Sequence, residues 1–337
     1  MKPLRHLSAA EVAEAMPSLR QRLDLAARTM TALGRDAELP PKIGVHPRQT
    51  GSLAHAMPAL LRGEAPDGSA DLIGAKWITG FPANPESGLP TYHALILLND
   101  PVNGEPLAVM DAGAITAQRT AAISGTVIRH FLREGSAGAG RPARVAILGA
   151  GAQARSHLPV VGHLLPGAAV RLTDVDPARA RRLATEAGAV EGIASAEAVP
   201  GVREAVESAD VVISVVSFGA HRQALDPAWL SPNAVFIAVD YDMQAPAALA
   251  RESFFVVDER AQFLATRSGP VFAGYPEPDA TIGDLLRGEA APAVGPVGSP
   301  PGRVLVTHLG VGLADVVFAS AILARAEQLG LGRLLPR

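Results

Sequence analysis

The chain has 337 residues, is 48% hydrophobic and carries a net charge near −3, with acidic and basic residues mixed along its length. A chain of this size buries a large core, and its length favours two domains over one. The mixed charge gives no electrostatic footprint for nucleic acid or for an anionic membrane, so we expect neither partner. Cysteine is absent, which excludes disulfides, thiolate nucleophiles and zinc held by cysteine, and we expect no bound metal.

The N-terminal sequence has no features of a targeting segment. Charges at Arg5 and Glu11 interrupt it before an apolar core of signal-peptide length is reached, and nowhere do about 18 apolar residues run together. We therefore expect a cytoplasmic protein.

The first part of the chain combines a predicted helix with short strands. Ser8 and Glu11 have the spacing of a capping box, which predicts a helix from there to about Leu33. The runs "DLIGAKWITGF" and "TYHALILLNDPVNGEPLAVMDAG" are of β type, and a turn over residues 99–106 in the second predicts an antiparallel hairpin. Thr116 is a good N-cap for the helix that follows.

After a Gly- and Pro-rich linker, strands alternate with helices. The strands "RVAILG", "AVRLTD", "DVVISVVS", "AVFIAVD", "FFVVDE" and "RVLVTHLG" are almost continuously apolar, as expected when helices cover both faces of a parallel sheet. The prediction is an α/β protein: a Rossmann-type doubly wound parallel sheet plus an α+β domain with antiparallel strands. Residues 288–302 are interpreted as a mobile surface loop, and the final amphipathic helix is expected to return to the first domain.

The segment "RVAILGAGAQARSHLPVV" has the context that a dinucleotide-binding motif requires. Gly149 and Gly151 follow a strand, Ala154 opens a helix, and Asp174 ends the second strand 23 residues after Gly151. Gly149 permits the turn, Gly151 lets the backbone approach a pyrophosphate, and Ala154 allows close helix–strand packing. A purely structural turn is the alternative, and the full context favours a bound dinucleotide. Pro159 should kink or shorten the helix.

NAD is favoured over NADP. Asp174 would accept hydrogen bonds from ribose hydroxyls, and Val175 and Asp176 offer no positive charge for a 2′-phosphate. Asp176 also has a simpler explanation as an N-cap before Pro177. The predicted cofactor contacts are Gly149, Gly151, Ala152, Gln153, Ala154, Asp174, Ser214 and Val216.

Three cationic residues stand out in the first half of the chain. Arg119 follows the predicted N-cap by three residues, where a cation opposes the helix dipole unless an anion binds there; a solvated arginine is the alternative. Lys76 lies in an apolar strand, where it either snorkels outward or faces a polar cleft, and the pattern alone favours snorkelling. Arg48 lies in a loop-like stretch.

Polar residues also follow the predicted parallel strands. Asp240 and Asp242 come at the carboxyl end of one strand, which is the sheet edge where ligands bind in open α/β folds. A carboxylate beside a nicotinamide can act as a general base or orient an amine or a water, and helix capping is the alternative. His308 ends the last strand at the same edge, but a buried histidine in a turn is more often only hydrogen-bonded.

The segments "GAKWITGFPAN", "LAVMDAGAITAQRTAAISG", "VAILGAGAQARSHL", "ADVVISVVS" and "HLGVGLADVV" together resemble the ornithine cyclodeaminase/mu-crystallin family, from about Pro47 to Ala324. The resemblance implies a homodimer. It also implies a substrate-binding and dimerisation domain over residues 1–118, completed by the C-terminal helix at 312–337, and an NAD-binding Rossmann domain over residues 119–311.

The resemblance assigns roles to the unexplained charges. It implies that Arg48, Lys76 and Arg119 hold a substrate carboxylate, which would be the anion missing at Arg119. It places Asp242 in contact with the amine or the attacking water, with Asp240 as the second candidate. Lys76 and Asp242 are thus the expected catalytic residues.

The family's chemistry implies hydride transfer between the Cα of an amino acid and the nicotinamide, which gives an imino acid. The next step separates a cyclodeaminase, an amino-acid dehydrogenase and an imine or ketimine reductase. Two departures put ornithine itself in doubt. An acid for the distal amine is expected before the "MP" of "SLAHAMPALL", but this segment carries His55 and no carboxylate, and Asp240 with Tyr241 replaces the usual Gly-Gly.

Two other functions compete with an enzyme acting on a small amino or imino acid. One is a non-catalytic protein of mu-crystallin type that binds a dinucleotide and a small ligand. The other is a 2-hydroxy-acid dehydrogenase, for which His308 is the only candidate base. Lys76, Arg119 and Asp242 favour the enzyme that acts on an amino or imino acid, because a protein that only binds its ligands needs no base opposite the nicotinamide.

Overall fold

The computed structural model describes residues 3–65, 67–132, 141–292 and 302–337. The chain divides into two compact units, the first formed by Met1–Arg119 and Gly310–Arg337 and the second by Thr120–Leu309. One unit is built on a largely antiparallel sheet and the other on a parallel sheet, so the predicted fold class is confirmed. In the described part of the chain, no helix is long and apolar enough to cross a bilayer.

The secondary structure comprises sixteen strands and ten α-helices within the described residues. The strands are β1 (Leu4–Leu7), β2 (Ala37–Glu38), β3 (Ile43–Val45), β4 (Leu53–Leu61), β5 (Leu72–Gly80), β6 (Tyr92–Asn99), β7 (Pro106–Asp111), β8 (Arg144–Leu148), β9 (Ala168–Thr173), β10 (Ile193–Ala198), β11 (Val211–Ser214), β12 (Val235–Ala238), β13 (Phe254–Val257), β14 (Ala280–Thr281), β15 (Val304–Thr307) and β16 (Arg333–Leu335). The helices are α1 (Ala9–Glu14), α2 (Leu19–Ala32), α3 (Gly113–Phe131), α4 (Ala152–Leu164), α5 (Pro177–Ala187), α6 (Val202–Val206), α7 (Ala247–Glu252), α8 (Arg260–Arg267), α9 (Ile282–Arg287) and α10 (Gly312–Leu329).

The sheet of the first unit has the order β16-β1-β7-β6-β5-β4-β2, and β3 also pairs with β4. Strands β6 and β7 pair antiparallel, with Leu95 opposite Asp111, which confirms the predicted hairpin. The final strand β16 pairs antiparallel with β1, and neither of these two short strands was predicted. Strand β16 thus forms one edge of this sheet, beside β1.

Helix α10 packs across β4, β5 and β6 and covers one face of this sheet. Glycines allow the close approach. A Cβ at Gly312 would lie 2.7 Å from the Met57 carbonyl oxygen, and one at Gly74 would lie 3.3 Å from Val316. Because Lys76 is two residues from Gly74, it lies on this same covered face. The register therefore directs a lysine at the helix.

The opposite face of the same sheet is apolar and exposed. Ile73, Trp77, Leu95 and Leu97 are 40%, 48%, 49% and 38% exposed, and the register pairs Trp77 directly with Leu95. Contiguous large apolar side chains on one sheet face are uncommon on the surface of a monomer and mark an interaction surface.

The predicted N-terminal helix is two helices. The capping box of Ser8 and Glu11 is present, but α1 ends at Glu14 and α2 begins after a second capping box, formed by Ser18 and Gln21. Pro17 explains the break, because proline lacks the backbone donor and disfavours a helical conformation of the residue before it. The predicted single helix to Leu33 is therefore wrong.

The second unit has a parallel sheet in the order β10-β9-β8-β11-β12-β15-β13-β14. Within this unit the first strand is β8. The next two strands, β9 and β10, are added on one side of it and β11 on the other, so the strand order reverses between β8 and β11. Ligands bind at the carboxyl ends of the strands at such a reversal.

Helix α4 continues past Pro159 to Leu164, with this proline on the exposed side. Most of the predicted linker and most of the predicted loop at 288–302 lie outside the described residues.

Candidate functional site

The glycine-rich turn between β8 and α4 forms an open cradle. Gly149 has a φ of +99°, and a Cβ there would lie 2.8 Å from the Val215 carbonyl oxygen, so only glycine fits. A Cβ at Gly151 would meet no atom within 4 Å, and Gly151 is the N-cap of α4 without any side-chain capping bond. The helix N-terminus therefore presents backbone donors toward open space, which is the geometry that binds a phosphate.

Asp174 lies beside this cradle. Its two carboxylate oxygens accept from the backbone N–H groups of Ala150, at 2.7 Å, and Asp176, at 2.8 Å. Each oxygen keeps a further lone pair for a ribose hydroxyl. The N-cap expected at Asp176 is confirmed, because its side chain accepts from the N–H of Ala178 at 2.8 Å. The residues present fit a dinucleotide.

The other predicted cofactor contacts differ in exposure. Ala154 is fully buried where α4 begins, while Ala152 is exposed. The Gln153 side-chain oxygen is buried and has no hydrogen-bond partner in the described residues. Ser214 and Val216 both donate to the Asp240 carboxylate, Val216 at 3.0 Å from its backbone nitrogen.

Asp240 is a buried acid whose two carboxylate oxygens differ in their hydrogen bonding. Ser214 and Val216 donate to Oδ2, whereas Oδ1 has no hydrogen-bond partner among the described residues. Burial raises the pKa of Asp240 to about 7, against the opposing effect of these hydrogen bonds. A carboxyl group that titrates near neutral pH can both take up and release a proton.

Asp242 is bonded at both oxygens. Arg222 Nη1 lies 2.5 Å from Oδ1, and the Phe272 backbone N–H donates to Oδ2 at 2.9 Å. Tyr241, between the two acids, has a φ of +64°, a left-handed conformation that is strained for a tyrosine. Its ring stacks on Phe272 at 5.7 Å. Although the sequence ranks Asp242 above Asp240, the structure leaves the unpartnered oxygen on Asp240.

In the first unit, Lys76 and Arg119 share one buried carboxylate. Lys76 Nζ lies 2.6 Å from Asp315 Oδ2, and Arg119 Nε lies 3.0 Å from Oδ1. The three residues are 1%, 4% and 0% exposed. Burial would raise the pKa of Asp315, but the charges of Arg119 and Lys76 hold it below its usual value. Burial lowers the pKa of Lys76 to about 7, although Asp315 opposes this effect.

Two interpretations of these charges need correction. Lys76 does not snorkel to solvent. Thr116 is not an N-cap, because α3 begins at Gly113, whose N–H donates to Asp111 at 2.9 Å. Arg119 thus lies in the second turn, where the helix dipole matters less, and the anion beside it is Asp315.

Arg119 still keeps binding capacity. Its Nη1 atom is buried and has no hydrogen-bond partner in the described residues. Gly310 makes room for the guanidinium, since a Cβ there would lie 2.7 Å from Nη1. Arg48, by contrast, is exposed in the loop after β3 and is not brought into this cluster.

The sequence reasoning missed Asp315. A signal was present, because this acid interrupts the apolar run "GLADVVF" of α10, and an acid on a buried helix face needs a cationic partner. A buried hydrogen-bonded network was also missed. Ser124 Oγ lies 2.8 Å from Nε2 of His157 and 3.0 Å from Nε2 of His308.

The comparisons with known proteins agree with this architecture, which is that of a Rossmann-type α/β protein with a second, largely antiparallel unit. The family model for the ornithine cyclodeaminase/mu-crystallin family matches residues 7–327. The chain belongs to this family, and the resemblance found in the sequence is confirmed.

Relatives and solved structures cover much or all of the chain. The nodulation efficiency protein NfeD of Rhizobium meliloti is 30% identical over 339 residues, covering 99% of this chain and 98% of the relative. Ketimine reductase mu-crystallin of Mus musculus is 32% identical, covering 66% of this chain and 68% of the relative. The fold matches Thermococcus litoralis Δ1-pyrroline-2-carboxylate reductase in complex with NADH and L-proline, with a TM-score of 0.81, 22% identity and coverage of 98% and 100%.

Removing the shared carboxylate should destabilise the fold strongly. We expect Asp315→Ala to lower the free energy of unfolding at pH 7 by about 3–5 kcal/mol, because two buried cations lose their anion. The difference in the free energy of unfolding between the variant and the unchanged protein should shrink as the pH falls toward the lowered pKa of Asp315, because the carboxylate then becomes protonated. Urea denaturation of both proteins across pH measures this effect.

A matched control is Glu38→Ala, which removes the partner of Arg62 in an ion pair that is 50% and 62% exposed. It should cost less than about 1 kcal/mol. Equal losses for the two variants would contradict the role given to Asp315.

Proposed function

We propose that the chain is an NAD-dependent enzyme that acts on the C–N bond of a small amino or imino acid. The observation that carries this proposal is the buried Lys76–Asp315–Arg119 cluster. Asp315 balances one positive charge, and burial has already lowered the pKa of Lys76 to about 7, so a second anion would stabilise the charged form of this lysine. The spare Arg119 Nη1 donor and the remaining positive charge fit a substrate carboxylate.

The cradle at Gly149 and Gly151 supports NAD as the cofactor. Open space over the N-terminus of α4 suits a pyrophosphate, and Asp174 suits the ribose hydroxyls while repelling a 2′-phosphate. The Thermococcus litoralis structure with the same fold contains NADH. NAD is therefore favoured over NADP.

Different residues serve the binding of the substrate and the transfer of its proton. When bound, NAD supplies the two-electron acceptor or donor, as a hydride leaves or joins the carbon that carries the nitrogen. Lys76 and Arg119 hold the carboxylate and so fix that carbon. Asp240 takes or returns the proton of the substrate nitrogen or of an attacking water, a role that its raised pKa and unpartnered oxygen support. Asp242, held by Arg222, positions the loop that carries both acids.

The cofactor assignment predicts a selective effect of Gly151→Ala. A methyl group there meets no protein atom within 4 Å, so the melting temperature of the protein alone should not change. The affinity for NAD should fall about tenfold or more, because the methyl group occupies the space assigned to the pyrophosphate. Gly188→Ala, at a glycine in ordinary helical conformation, is the control and should alter neither property. Titration calorimetry with NAD and NADP measures both affinities, and equal binding of NADP would contradict the role of Asp174.

The catalytic assignment predicts different losses for the two aspartates. Lys76→Met and Asp240→Asn should each lower kcat/KM about a hundredfold or more, while NAD affinity persists. Asp242→Asn should have a smaller effect on kcat/KM.

The assay follows NADH absorbance and released ammonia over a panel of L-amino acids and cyclic imines. Ammonia without net NADH marks a cyclodeaminase, both together mark a dehydrogenase, and NADH consumption by imines marks a reductase. Binding of NAD and ligand without any turnover would instead indicate a non-catalytic binding protein of mu-crystallin type.

We also propose that the chain forms a homodimer through the exposed apolar face of the first unit. Ile73, Trp77, Leu95 and Leu97 on β5 and β6 support this proposal, because a second copy of the same face would remove these side chains from water.

The dimer proposal predicts the behaviour of two lysine substitutions. Trp77→Lys should give a monomer in sedimentation velocity at concentrations where the unchanged protein is a dimer, since a buried lysine opposes association. Val102→Lys, at a 65% exposed position in the hairpin turn, is the control and should remain dimeric. A monomeric unchanged protein would rule this interface out.

A further inference from the structure

Helix α3 carries a second buried polar atom besides Arg119 Nη1 that lacks a partner. Thr116 Oγ1 is buried and forms no hydrogen bond with any described residue. Threonine hydroxyls within helices often donate to a backbone carbonyl three or four residues earlier, as Thr29 does to Leu25 at 2.8 Å. The hydroxyl of Thr116 therefore lacks the bond that would satisfy it within its own helix.

Thr116 and Arg119 lie on one face of α3. Residues three apart are neighbours on a helix surface, with about 5–6 Å between their Cβ atoms. Helical side chains also lean toward the helix N-terminus, so the long side chain of Arg119 covers the turn that carries Thr116. The two atoms without a partner, Arg119 Nη1 and Thr116 Oγ1, thus come from neighbouring positions of a single helix.

The chemistry of these two atoms indicates the kind of group that satisfies both. An arginine nitrogen only donates hydrogen bonds, and a threonine hydroxyl can donate as well. The matching group therefore accepts two hydrogen bonds, and beside a permanently charged guanidinium an anion is favoured. A carboxylate has two acceptor oxygens in one plane. Because Arg119 Nε is already bonded to Asp315, Nη1 is the donor that remains for this second carboxylate.

We propose that Thr116 is a further binding residue for the substrate carboxylate. Arg119 Nη1 donates to one carboxylate oxygen and the Thr116 hydroxyl donates to the other. Two donors fix the plane of the carboxylate and so orient the adjacent carbon, from which the hydride leaves or to which it is added. This inference rests on the proposed function, whose carboxylate position it uses.

Binding and stability of Thr116→Val test the inference together. Valine has nearly the shape of threonine but cannot donate, so the dissociation constant of propionate, a minimal carboxylate probe, should rise about tenfold. The melting temperature should stay the same or rise, because the substitution removes a buried hydroxyl without a hydrogen bond in the described residues. NMR titration of the full chain labelled with ¹⁵N-arginine measures the affinity, and calorimetry measures the melting temperature.

Two control variants accompany this test. Thr116→Ser keeps the hydroxyl and should bind propionate within about threefold of the unchanged protein. Thr29→Val removes a buried hydroxyl that is bonded within its own helix and should not alter propionate binding. A lower melting temperature of Thr116→Val with unchanged propionate affinity would show that the hydroxyl serves the fold alone, and would overturn the inference.

The comparison with Lys76→Met separates this inference from the proposed function. Unchanged propionate affinity in Thr116→Val, together with weaker binding in Lys76→Met, would overturn the inference and leave the proposed carboxylate site standing. Affinity that neither substitution changes, or no binding of propionate to the unchanged protein, would contradict both.

Kinetics give a second measurement once the substrate panel has identified a substrate. Thr116→Val should raise KM about tenfold and change kcat less, because the carboxylate is held in the ground state and in the transition state alike. A lower kcat at unchanged KM would contradict the binding role of the hydroxyl.

Discussion

The polar cluster of the first unit depends on the Asp315 carboxylate, which forms ion pairs with both Lys76 and Arg119. A buried lysine loses its hydration, and burial lowers its pKa to about 7 despite the neighbouring acid. This contact joins a central strand, the start of α3 and the C-terminal helix α10. Helix α10 therefore supplies the acid of this buried cluster. One acid thus serves two basic side chains, and Arg119 Nη1 has no hydrogen-bond partner in the described residues.

The second unit follows the same principle with donors in place of cations. Backbone N–H groups at the start of α4 lack a side-chain cap, and Gly151 before them leaves the adjacent space open. At the neighbouring strand ends, Asp240 has one bonded and one unbonded oxygen. Each unit thus contains buried polar atoms without a hydrogen-bond partner in the described residues, a feature that preformed binding sites share.

The sequence predicts those features of the fold that depend on neighbouring residues. The hairpin follows from alternation around a turn, and the parallel sheet from strands that are apolar on both faces. The glycine turn and Asp174 follow from their fixed spacing. By contrast, the helix predicted from the capping box at Ser8 runs through Pro17 and misses the break there. The start of α3 at Gly113 depends on a hydrogen bond that the Gly113 N–H donates to the Asp111 side chain.

The partners within the site could not be predicted from spacing, because they are far apart in the chain. Arg119 and Asp315 are 196 residues apart, and only the packing of α10 on β5 brings that helix over Lys76. Similarly, the difference between Asp240 and Asp242 is set by Arg222 and Phe272, which come from separate loops. The sequence singles out both acids, while the structure shows that Asp240 is the one with an oxygen that has no hydrogen-bond partner in the described residues.

The titration of Lys76 tests the central claim most directly. The chain contains three lysines, so ¹⁵N-labelled lysine gives a spectrum in which each Nζ can be assigned by substitution. We expect Lys76 to titrate with a pKa of about 7 in the free protein, and a bound carboxylate ligand to raise this pKa because it favours the charged lysine. A pKa near that of an ordinary lysine, unchanged by such a ligand, would contradict this expectation.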